Sequence, residues 1–76
     1  MFLKKIKKKV INIEGIINED GIIKLKSTLE NLIDVSKVKV NLNKKQIIIK
    51  YDNTIDDILL TETIEKLGVV VTGIKE

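Results

Sequence analysis

The sequence predicts one small α+β domain in which four strands and two helices follow the order βαββαβ, with the strands in a single antiparallel sheet and both helices on one of its faces. Three observations carry that prediction. Apolar residues recur at every second position in some segments and at every third or fourth in two others. Glycines or clusters of Asn and Asp stand between the segments, and 76 residues leave room for only one hydrophobic core.

The first strand is expected from Lys8 to Gly15, with Ile11 and Ile13 on one face and Asn12 and Glu14 on the other. Asn18, Glu19 and Asp20 then supply side-chain oxygens that can cap the free N–H groups of a first helical turn. The helix itself is marked by Ile22, Leu25, Leu29, Leu32 and Ile33, spaced three or four apart. After Asp34 the period drops to two, so Val38, Val40 and Leu42 should share a face opposite Lys37, Lys39 and Asn41. Asn43, Lys44 and Lys45 connect this strand to a partner in which Ile47, Ile49 and Tyr51 face inward and Ile48 and Lys50 outward. Thr54, Asp56 and Asp57 open a second helix carrying Leu60, Ile64 and Leu67; Gly68 closes it, and Val69 to Ile74 is the last strand. Right-handed crossovers would put the first and third strands at the centre, which is the ferredoxin-like βαββαβ sandwich.

Composition narrows what such a domain can do. The apolar residues are almost all aliphatic, and the chain has neither Cys nor His, so disulfides, zinc and the usual general base and thiolate nucleophile are missing. Ser27 and Ser36 have no base beside them, and the acidic pairs Glu19/Asp20 and Asp56/Asp57 fall at helix starts, where they serve the helix dipole. The chain is therefore expected not to be an enzyme. Lys4, Lys5, Lys7, Lys8 and Lys9 concentrate the positive charge in residues 1–9, expected to form a solvated basic arm; residues 10–76, the domain proper, are net −2. No apolar run reaches the roughly 20 residues of a membrane span, and the stretch after Lys9 is broken by Asn12 and Glu14, unlike a secretory signal. A cytoplasmic protein without stable membrane insertion is expected. Nucleic acid is not expected as a partner, since Tyr51 follows the inward parity and no other aromatic residue lies within residues 10–76 to stack bases on the open face.

Ile13-Glu14-Gly15-Ile16, Val35-Ser36-Lys37-Val38-Lys39-Val40-Asn41-Leu42, Tyr51-Asp52 and Ile64-Glu65-Lys66-Leu67-Gly68 occur in this order and at this spacing. Across residues 10–74 the chain resembles the heavy-metal-associated domains, found as copper chaperones and as N-terminal modules of metal-exporting P-type ATPases. The resemblance implies a site for Cu(I) or another soft ion, held by two thiolates of a Gly-Met-x-Cys-x-x-Cys motif. Here that motif reads Gly15-Ile16-Ile17-Asn18-Glu19-Asp20-Gly21, so Asn18 and Gly21 stand where the cysteines would be. Ile16 replaces the Met, Val69 replaces a Tyr that commonly follows the later Gly, and the sole remaining sulfur is that of Met1. Soft ions select thiolates and thioethers, so no metal and no cofactor is expected.

What remains is contact. The resemblance implies a metal transporter or sister domain as partner, and Ile17, Asn18, Glu19 and Asp20 form the candidate interaction loop. Val10, Ile48 and Val70 form a second candidate, an apolar patch on the open sheet face that would support a homodimer. Two alternatives stand beside these expectations. One is an oxygen-ligand metal site at Asn18, Glu19 and Asp20; the other is a small-ligand sensor of the amino-acid-binding ACT type, which shares the βαββαβ order.

Overall fold

The computed structural model describes residues 6–15 and 18–76. Within them the chain forms β1 (Lys7–Glu14), α1 (Glu19–Glu30), β2 (Val35–Asn41), β3 (Gln46–Tyr51), α2 (Asp57–Glu65) and β4 (Val70–Lys75). The strands make one antiparallel sheet in the order β2-β3-β1-β4, so the first and third strands are central as expected. This is the ferredoxin-like arrangement.

Parity along the strands decides the core. Ile11 and Ile13 of β1, Val38 of β2 and Ile47, Ile49 and Tyr51 of β3 all point to the helix side and are buried. Leu25 and Leu29 of α1, Leu60 and Ile64 of α2, and Val69 close over them in one cluster. Each fully buried Leu or Ile contributes about 1.5–3 kcal/mol through apolar burial, which gives a chain without crosslinks its stability.

Four sequence expectations need correction. Ile33 is 87% exposed, because α1 ends at Glu30 and the chain turns through Asp34 at φ +72°, carrying Ile33 off the helical face while Leu32 packs on the core. Leu42 lies one residue beyond β2 and is largely exposed in the hairpin turn, where Lys45 adopts φ +53°. The last strand starts at Val70, leaving Val69 buried at the joint. Finally, the overlap between a strand from Lys8 and an arm over residues 1–9 is settled for the strand, which takes in Lys7 as well: Lys7, Lys8 and Lys9 begin β1 and pair with Tyr51, Lys50 and Ile49.

Both edge strands are irregular. In the β1·β4 pairing Asn12 faces Gly73 but Ile13 faces Val71, so Thr72 is an extra residue. In β2·β3, Val35 faces Tyr51 but Lys37 faces Lys50, which makes Ser36 the extra residue on the other edge.

Candidate functional site

β1 delivers the chain to Gly15, whose φ of +130° suits glycine alone. A Cβ placed there would lie 3.7 Å from the Gly68 carbonyl oxygen, so Gly15 sits beside the α2–β4 turn, where Gly68 itself has φ +86°. Ile16 and Ile17 lie outside the described residues, and with them one member of the candidate interaction loop. Asn18 is the N-cap of α1: its Oδ1 accepts the Gly21 N–H at 2.8 Å and its carbonyl accepts the Ile22 N–H at 3.0 Å. Glu19 and Asp20 occupy the exposed first turn, where the helix dipole favours their charge.

No protein-family profile matches the chain, and no curated protein sequence does either. Solved structures do. The CsoZ metallochaperone superposes with a TM-score of 0.80 at 22% identity, covering 91% of this chain and 100% of its own. The CopZ metallochaperone gives 0.79 at 25% identity, with 87% of this chain and all of its own covered. The water-soluble region of the P-type ATPase CopA from Bacillus subtilis gives 0.78 at 24% identity, covering 92% of this chain and 47% of its own.

The fold is that of the heavy-metal-associated domains.

The residues present do not fit the soft ion that the resemblance implies. Position 18 offers an amide whose oxygen is already committed to the helix cap, position 21 offers only hydrogen, and the chain contains neither thiolate nor imidazole. Among the described residues no three acidic groups come close enough to share a hard cation either. Among the described residues around this turn, the Asn18 side chain is engaged in the helix cap and Gly21 has no side chain to offer.

The second candidate, on the open sheet face, is partly assembled. Val10 and Ile48 are direct partners across β1 and β3. Val70 is not with them: it faces Glu14, four positions further along β1, or about 13 Å away at the strand rise. The patch is a pair of residues, not a triplet, and its other neighbours in the same rung are Lys39 and Lys75.

At the pole opposite the β1–α1 turn lies an arrangement absent from the sequence reading. Lys9 is only 4% exposed because it shares the inward parity of Ile11 and Ile13. Its ammonium donates to the Ile55 carbonyl oxygen at 3.0 Å and to the Asp57 carboxylate, lies 3.8 Å from Glu76 Oε1, and sits 5.5 Å from the centre of the Tyr51 ring. Burial works against the charge, but the hydrogen bond and attraction of Asp57, helped by Tyr51 and Glu76, prevail and hold the Lys9 pKa above its usual 10.5. A partly open cavity of about 270 Å³ adjoins this cluster. The signal was present in the sequence, since position 9 is two before Ile11; the surrounding lysines masked it. Asp57 thus ties α2 to β1, while Asp56 provides the cap, its Oδ1 accepting the Ile58 N–H at 2.8 Å.

Proposed function

We propose that this protein serves metal transport through contact with another protein, a transporter or a sister heavy-metal-associated domain, and does not carry the ion itself. It performs no catalysis in that role. The observation that carries the proposal is at the start of α1: of the two ligand positions that the resemblance implies, Asn18 has its amide oxygen engaged in capping and Gly21 has no side chain. The likeness to two metallochaperones and to a P-type ATPase soluble region supports the setting.

No helix among the described residues is long and apolar enough to cross a membrane. The test is titration of isotope-labelled protein with Cu(I), and separately with Zn²⁺, under reducing conditions. Amide signals of Asn18 to Ile22 are expected to stay in place at micromolar metal. Saturable shifts there would overturn the proposal.

A further inference from the structure

The open face of the sheet carries a charge pattern that none of the preceding features uses. Reading across the strands, one rung consists of Lys8, Lys50 and Lys37, each directly opposite the next. The adjacent rung runs Lys75, Val10, Ile48, Lys39, and the one after it Gly73, Asn12, Gln46, Asn41. Five exposed lysines therefore surround one half-buried aliphatic pair. Among the described residues none of these five ammonium groups is within ion-pair distance of a carboxylate. The only acid at an open-face position of the paired strands is Glu14, at the far end.

Like charges placed directly opposite one another in a sheet destabilise it. Across the lysine rung the repulsion acts twice, at Lys8/Lys50 and at Lys50/Lys37. This also tells against a symmetric dimer through the face, because a two-fold axis would set lysines against lysines around Val10 and Ile48. A single-stranded nucleic acid would find phosphate partners but, among the described residues, no aromatic platform, since Tyr51 is 3% exposed on the helix side. An apolar centre with a charged rim is the anatomy of a protein interface.

We propose that the open face of the sheet is a docking surface for an acidic protein segment, one that sets an aliphatic side chain against Val10 and Ile48 and carboxylates against the five lysines. The inference rests on the proposed role in protein contact and assigns it a surface and a partner chemistry.

The probe is a short synthetic peptide rich in glutamate with leucines at its centre, added to labelled protein and followed by amide shifts. A leucine-free glutamate peptide, oligothymidylate, and phosphatidylcholine vesicles with or without phosphatidylglycerol serve as comparisons. The leucine-containing peptide is expected to shift amides of the Lys8 and Val10 rungs with a Kd below about 1 mM, more tightly than any comparison and less tightly as salt rises. Lys39→Glu with Lys50→Glu should weaken it at least about tenfold while leaving the melting temperature unchanged or raised, because two repulsive contacts are removed. Ile48→Ser should abolish the advantage of leucine but leave the residual attraction of glutamate. Absence of binding at that concentration, or tighter binding of oligothymidylate or anionic vesicles, would overturn the assignment. Shifts on the helices or the β1–α1 turn would overturn it too, yet leave the role in protein contact standing; that role fails separately, in the metal titration.

Discussion

The Lys9–Asp57 pair makes a prediction that depends on which partner is removed. Asp57→Asn leaves the ammonium 4% exposed, with the Ile55 carbonyl as its remaining close partner and Glu76 at 3.8 Å. Lys9→Met leaves instead a carboxylate whose side chain is 55% exposed and free to be hydrated, while the new side chain still fills the space of the lysine stem. Removing one member of a fully buried pair costs about 3–5 kcal/mol, and losing a hydrogen bond to a charged group about 1.5–3 kcal/mol. Since Asp57 is half in water and Glu76 remains near, Asp57→Asn should cost about 2 kcal/mol and Lys9→Met about 1 kcal/mol or less. For a domain of this size the difference corresponds to roughly 4–8 °C in melting temperature.

The pH dependence has a definite sign. The folded-state pKa of Lys9 is raised above 10.5, so the pair's contribution is fully present below the unfolded value and is lost as pH rises through the folded one. The gap between the wild type and Lys9→Met should therefore be constant near neutrality and shrink above about pH 10.5. Urea unfolding followed by circular dichroism, with unchanged m-values, measures both effects. A Lys9→Met variant less stable than Asp57→Asn would refute the proposed asymmetry, and with it the assignment of Lys9 as the desolvated partner.

Other substitutions probe the candidate turn and the core. Asn18→Ala removes the cap on Gly21 N–H and should lower stability by about 1 kcal/mol in the same urea assay. Asn18→Cys with Gly21→Cys places two thiols three residues apart on the first turn of α1; this double variant should withdraw Cu(I) from a chromogenic chelator where the natural chain does not. Gly15→Ala meets only ordinary contacts at 3.7 and 3.9 Å but must hold φ near +130°, so about 1–3 kcal/mol should be lost to backbone strain, measured by thermal melting. Leu29→Ala opens a cavity between α1 and the sheet and should cost about 2–5 kcal/mol.

The architecture was legible because parity and helical spacing agree with the tertiary packing nearly everywhere. Ile11, Ile13, Ile47 and Ile49 are buried as their alternation predicts, and Asn18 and Asp56 cap the helices that their chemistry announces. Ile33 departs from its expected place because spacing alone does not reveal where a helix stops; α1 ends at Glu30, before Ile33 can join its inward face. Lys9 departs for a different reason: the run of lysines suggests a solvated arm, while parity with Ile11 and Ile13 turns position 9 inward, where a lysine stem with a countercharge is compatible with burial. Val70 was grouped with Val10 and Ile48 because the bulge at Thr72 and the strand register cannot be read from one segment alone. The lysine rungs likewise exist only through pairing, since Lys8, Lys37 and Lys50 lie in three different strands.

The two edge irregularities have a consequence for how the protein behaves at high concentration. A chain rich in Ile, Leu and Val and without proline is the composition that stacks into fibrils when a flat strand margin is left open. Here each margin is kinked, by Ser36 on one side and Thr72 on the other, and studded with Lys37 and Lys39 or Lys75, so a neighbouring molecule finds neither a straight template nor a neutral one. Straightening a margin by deleting Thr72, rather than softening the core, is the change that should make this protein aggregate.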